Sequence, residues 1–222
     1  MTRVPIPIEV MLSSGLVLRG HEYAADGPTV VLVHDLGGDL DAWGSVPPDV
    51  STAGFRVLCL ELRGHGLSDG EVDPAATFDD LGDALRTISD AFGPVAFVST
   101  GVVANCGFAL SDRDGVPVSI AVSPVPVEDS GLLLPAFKPA MRALIAGAKD
   151  PVSDPFLRSI YPRLPGQNMW ISTGTDAVGA ELLAAHPHLV EQLVMFIRRY
   201  LTAHQLAWIA ERTAAGDIVA RG

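Results

Sequence analysis

The chain is 222 residues long, 48% hydrophobic and carries a formal net charge of −11. That length can bury one sizeable core, and the negative balance argues against binding nucleic-acid phosphates or anionic lipid. No apolar stretch reaches the roughly 18–20 residues of a membrane span, and the opening MTRVPIPIEV lacks the unbroken apolar run of a signal peptide.

Short apolar runs alternate with helical stretches, which predicts strand–helix units around a mostly parallel central sheet flanked by helices, an α/β class. Residues 9–23 carry two short apolar stretches that read as an antiparallel hairpin on the sheet edge. Thr29–His34 (TVVLVH) is β-branched and almost wholly apolar, as a strand buried on both faces requires. Phe55–Leu60 reads as its neighbour. Over Thr77–Phe92, apolar residues at Phe78, Leu81, Leu85, Ile88 and Phe92 keep helical spacing. Val95–Ser99 is a strand entering a helix, Pro117–Ser123 is another strand, and Met169–Thr173 a late one. Val190, Leu193, Val194, Ile197, Tyr200 and Leu201 predict a core-facing helix, and Gln205–Ala220 reads as helix-like, with Trp208 and Ile209. Between Ser123 and Met169 the chain is proline-rich, with a helical piece expected near Lys138–Ala148. Residues 1–222 are therefore expected to form a single domain, with about 125–168 a short, minimal cap-like insertion over a rather open pocket. Cys59 and Cys106 sit in apolar surroundings, so a disulfide framework is not expected and a reducing cytoplasm is the simpler reading.

Three segments carry a pattern in order. His34-Asp35-Leu36-Gly37-Gly38 follows a strand and precedes Trp43; Glu61-Leu62-Arg63-Gly64-His65-Gly66-Leu67-Ser68-Asp69 follows the next strand; Gly174-Thr175-Asp176 follows the late one. With these, residues 10 to 200 resemble the α/β-hydrolase superfamily. The second segment is similar to the family's D-x-R-G-H-G-x-S-D stretch, with Glu61 in place of the Asp. The first is similar to the H-G-x-x-G oxyanion loop, with Asp35 in place of its first glycine. Acyl transfer builds negative charge on a carbonyl oxygen, and fixed backbone N–H donors must be aimed at it. The resemblance assigns one donor to Leu36 and the other to Val102, the residue after the nucleophile. A carboxylate at Asp35 opposes that charge if it faces the pocket, and is harmless if it faces solvent.

The family's G-x-S-x-G elbow holds its nucleophile on a strained turn between strand and helix. Aligned to it, Ser99 takes the first small position, Thr100 the next, Gly101 the nucleophile's place, and Val103 the second small position. Glycine cannot attack a carbonyl, so the Ser-His-acid mechanism lacks its first member. Ser99 and Thr100 are hydroxyls off the elbow position, and Cys106 reads as a packed apolar side chain. The resemblance makes Asp176 the acid, with a helix N-cap as its alternative role. The histidine should follow one further strand. His204 lies 28 residues after Asp176 but on a predicted helix, and if that helix is the fold's last, the final strand and its histidine loop have been deleted. His186 and His188 read as a helix-end pair, and His34 and His65 as loop-shaping residues rather than bases.

No metal-ligand spacing and no phosphate-binding loop appears, so neither metal nor cofactor is expected. Candidate catalytic residues are therefore Asp176 and His204, and pocket or oxyanion candidates are His34, Asp35, Leu36, Thr100, Gly101 and Val102. They fit a divergent hydrolase-like enzyme acting on a small ester-like or related carbonyl substrate without a standard triad. The alternative is an inactive descendant that binds a small apolar ligand or a protein partner, and by analogy alone another reaction class such as a lyase. Partners are then a small molecule, neither nucleic acid nor membrane, with a homo-oligomer left open.

Overall fold

A computed structural model describes residues 4–216. The chain opens with β1 (Ile6–Met11) and β2 (Val17–Tyr23), an antiparallel hairpin in which Glu9 pairs with Arg19. Then come β3 (Thr29–Val33), α1 (Val46–Thr52), β4 (Arg56–Leu60), α2 (Thr77–Phe92) and β5 (Val95–Thr100). A single-turn 3-10 segment leads into the short α3 (Cys106–Ala109), followed by β6 (Val118–Val122), β7 (Ala140–Gly147) and α4 (Ser153–Ile160). The chain ends with β8 (Gly166–Thr173), α5 (Gly179–Ala185) and α6 (Pro187–Ala214).

One eight-stranded sheet results, in the order β1-β2-β4-β3-β5-β6-β7-β8. β2 joins β4 antiparallel, and β4, β3, β5, β6, β7 and β8 all run parallel. Apolar residues fill both faces of the central strands because helices cover both. Along β3, Val30 and Leu32 pack with α1 and α6, while Val31 and Val33 pack with Leu81 and Leu85 of α2. α6 buries Leu193, Ile197 and Leu201 on the first side, as its periodicity predicts. α2 occupies the span its spacing predicts; its last residue, Phe92, is part-exposed under the Arg56 guanidinium, 4.3 Å from the ring centroid. No helix among the described residues is long and apolar enough to cross a membrane. Residues 217–220, the end of the helix-like stretch expected to Ala220, lie outside the described residues.

The helix expected near Lys138–Ala148 is instead β7, buried between β6 and β8. Ala143 and Ile145 face the α6 side, and Leu144 and Ala146 meet Phe108 and Leu157 on the other. The sequence AMRALIAG is rich in helix formers, but β6 and β8 offer it two ladders of backbone partners, and tertiary pairing overrides so weak a local preference. Arg142 completes the disguise. It is wholly buried, and its guanidinium donates to the carbonyls of Gly107 (3.2 Å), Phe108 (3.0 Å), Pro165 (2.7 Å) and Lys138. Residues 125–168 thus contain the whole of β7, then α4 and the first residues of β8, and before β7 the span 124–139 is connecting chain outside the sheet. The final strand is present: β8 is the last strand, and β7 is the one whose sequence reads as helix.

Candidate functional site

The parallel strands deliver their following loops to one end of the sheet, so the turns after β3, β5, β6, β7 and β8 converge. Open α/β sheets place their ligand crevices outside these carboxyl ends. The turn after β5 is sharp. Gly101 has φ +58° and donates its N–H to Val122 O at 3.1 Å, leaving the N–H groups of Val102 and Val103 directed out of the turn.

Those groups meet Asp35. Its Oδ1 accepts from Val102 N (2.9 Å), from Val103 N (3.3 Å) and from Leu36 N (2.9 Å). The two donors assigned to an oxyanion therefore do converge, and the point they share holds the protein's own carboxylate oxygen. Asp35 faces inward rather than to solvent. The other oxygen occupies the space of a side chain on residue 101: a Cβ there would lie 1.8 Å from Asp35 Oδ2 and 2.2 Å from its Cγ, so the carboxylate would have to move. Burial pushes the Asp35 carboxyl above its usual range, and the three backbone donors pull the other way.

The two early motifs build the support for this loop. His34 is fully buried; its Nε2 accepts from Leu62 N at 3.3 Å, so Nδ1 carries the proton toward Asp35 O at 2.7 Å. His65 Nε2 accepts from Gly37 N at 2.9 Å, tying the second motif to the first. Arg63 forks onto both carboxylate oxygens of Asp80 at 2.6 Å. Glu61 Oε2 accepts from Leu67 N at 2.8 Å, and its longer side chain fills space that exists only because residue 66 is glycine, where a Cβ would meet Oε1 at 1.8 Å. Both histidines hold loops, as their motif positions imply, and neither lines the cavity.

A cavity of about 260 Å³ opens above Gly101. Its polar wall is Asp35, Thr100, Ser123, Asp150 and Ser153. Of these, sequence reasoning found Asp35 and Thr100. It missed Asp150, in the turn after β7, because that strand read as helix. Asp150 Oδ1 accepts from Val152 N (2.9 Å) and Ser153 N (3.1 Å), while its Oδ2 is buried with no hydrogen-bond partner. Ser123 directly follows β6 with φ +48°, the one non-glycine positive φ among the described residues, and its Oγ is likewise buried without a partner. Such a strained residue at a crevice is a pointer to function.

Asp176 and His204 are not brought together. Asp176 is exposed in the loop after β8 and does not line the cavity. His204 lies 3.4 Å from Asp112, in the turn that leads into the start of β6, at the opposite end of the sheet from Gly101. All six histidines of the chain are described, and none lines the cavity; the loop Gly174–Val178, where the last strand should deliver one, contains none. His186 hydrogen-bonds Leu182 O and meets His188 edge to face, with ring centroids 5.8 Å apart, as a helix-end pair. Ser99 is buried with its Oγ 3.4 Å from Val103 O, and burial pushes the Cys106 thiol up to about 12, so neither is poised to attack. Among the described residues no group of three or more His, Cys, Asp or Glu could hold a metal.

Sheet order, connecting helices and the turn after β5 together define an α/β-hydrolase fold. A family model described as the alpha/beta hydrolase fold matches residues 28–102, from the approach to β3 through the turn after β5. An esterase from Pyrococcus furiosus superposes with a TM-score of 0.72 at 16% identity, over 90% of this chain and 92% of that one. A thermophilic esterase from Thermogutta terrifontis, in a malate-bound structure, gives 0.68 at 15% identity over 87% and 98%. A serine hydrolase involved in carbazole degradation gives 0.65 at 14% identity over 88% and 99%. No curated protein sequence matches the chain significantly.

Proposed function

We propose that this chain is a non-hydrolytic descendant of the α/β-hydrolase fold that binds a small molecule in the cavity above Gly101. The observation that carries this reading is Asp35 Oδ1 on the N–H groups of Leu36 and Val102, 2.9 Å from each. An oxyanion hole stabilises a transition state only if its donors are free to meet the developing charge. Here a resident negative group holds them, no side chain projects at residue 101, and no histidine lines the cavity. The polar wall favours a polar ligand over the apolar one expected from sequence. The cap is minimal, the chain 124–139, and the location is cytoplasmic.

The other reading, a divergent hydrolase acting on a small ester-like substrate, draws on the convergence of the same two donors, which would be freed if Asp35 swung away. Turnover of p-nitrophenyl acetate and labelling by a fluorophosphonate probe decide between the two. A non-hydrolytic protein gives the buffer rate and no label. Turnover that survives or rises in Asp35→Ala, which frees those donors, and disappears in Asp150→Ala establishes the hydrolase instead.

A further inference from the structure

Resting on the binding reading above, we infer that the cavity ligand is a small organic cation, a primary alkylammonium, held by the carboxylates of Asp35 and Asp150. The lining contains those two carboxylates and no Lys, Arg or His. Backbone donors that would suit an anion are spent, since Leu36, Val102 and Val103 all point at Asp35 Oδ1. What the site has in surplus is side-chain oxygens without partners. Asp150 Oδ2, Ser123 Oγ and Ser153 Oγ have no hydrogen-bond partner, on residues that are 3%, 2% and 1% exposed. A buried polar atom left unpaired is costly, and in a native fold it signals a missing partner. A carboxylate oxygen without a donor, flanked by two unpartnered hydroxyls whose lone pairs can also accept, matches an ammonium group, which offers three N–H donors and accepts none.

The other wall selects for the rest of the ligand. Val125, Val152 and Val178 line the cavity, the last two about half exposed at its mouth, and give an alkyl chain an apolar surface. At about 260 Å³ the space falls below the roughly 300–1,000 Å³ of drug-sized sites. A chain of a few carbons therefore fits better than a ring system. The protein's net charge of −11 also raises the local concentration of cations over anions.

The test is titration of the ¹⁵N-labelled protein with butylammonium chloride, at ionic strength matched with sodium chloride, against 1-butanol and sodium butyrate. The expected result is saturable shifts centred on Asp35, Gly101, Ser123 and Asp150 with butylammonium alone. Binding should weaken at least tenfold in Asp150→Asn, which keeps the Oδ1 acceptor that Val152 and Ser153 need, and in Asp35→Asn. Shifts of the same residues by butanol or butyrate at equal or lower concentration overturn the cation assignment while leaving a ligand cavity in place. Absence of cavity shifts with all three also overturns it. The ester and probe assays, read separately, still decide whether the protein is a hydrolase.

Discussion

Asp35 Oδ2 lies 1.8 Å from the position that a Cβ on residue 101 would take. A side chain at residue 101 therefore requires the Asp35 carboxylate to leave its present position. The glycine also carries φ +58°, which L side chains adopt only with strain. Two departures that look independent along the chain are one steric unit in the fold.

Gly101→Ser should therefore destabilise the protein by about 2–3 kcal/mol, combining backbone strain with displacement of the carboxylate from its donors. For a domain of this size that is a fall in Tm of roughly 4–12 °C. Asp35→Gly/Gly101→Ser should recover much of the loss, because neighbouring residues that share one space are coupled by about 0.5–3 kcal/mol. Urea denaturation of the two single variants and the double variant measures the coupling. Strictly additive losses would refute the steric link.

Removing the carboxylate alone makes a different prediction. Asp35→Ala leaves the N–H groups of Leu36, Val102 and Val103 with no acceptor at the turn. Stability should fall by about 1–3 kcal/mol. The emptied donor cluster should then take up a small carboxylate, so millimolar acetate should raise the Tm of Asp35→Ala and leave the wild type unmoved. Equal responses to acetate would show that the donors do not form a common anion site.

The strands around this site were legible wherever burial on both faces left a purely apolar run, as in β3 and β5. α2 was legible from end to end because Leu81, Leu85 and Ile88 repeat at helical spacing over a polar surface. β7 was not. Alanines and a fully buried arginine gave it the composition of a helix, and only β6 and β8, distant in sequence, specify it as a strand. Reading that strand as helix hid Asp150, in the turn after it, and left the sheet one strand short. The loop donors Leu36 and Val102 were readable from motif spacing. The occupant of the space between them was not, because Asp35 and Val102 are 67 residues apart and only the folded sheet joins them.

Arg142, which hid β7, should prove indispensable to it. Its guanidinium has no carboxylate partner and serves four carbonyls at the end of α3, ahead of β7 and ahead of β8, and burial lowers it to about 10. Arg142→Met fills part of the volume but leaves those carbonyls without their donor, and should cost about 3–5 kcal/mol, the scale for disrupting a buried charged network. Arg142→Lys keeps a charge but loses the planar fork, and should recover only a fraction. Urea midpoints of the three proteins give the comparison. A Met variant as stable as wild type would mean that water satisfies the carbonyls equally well.

The loop that carries Asp35 should weaken in mild acid through His34. Burial is the main cause holding His34 below its ordinary 6.5; nearby His65 pushes the same way, against Glu61, Asp39 and the hydrogen bond to Asp35 O. Because the folded state binds the proton less readily than the unfolded chain, stability is complete above about pH 6.5 and falls as pH drops toward the folded-state value. Asp35 acts in the opposite sense, since its carboxyl is raised in the fold and its protonation at lower pH relieves buried charge. The loss should thus begin just below pH 6.5 and be partly offset further down. Denaturation at pH 7.5 and 5.5 should show wild type losing stability, and His34→Gln, whose amide retains a donor and an acceptor, losing less over the same interval. Equal slopes for the two would assign the acid sensitivity to other groups.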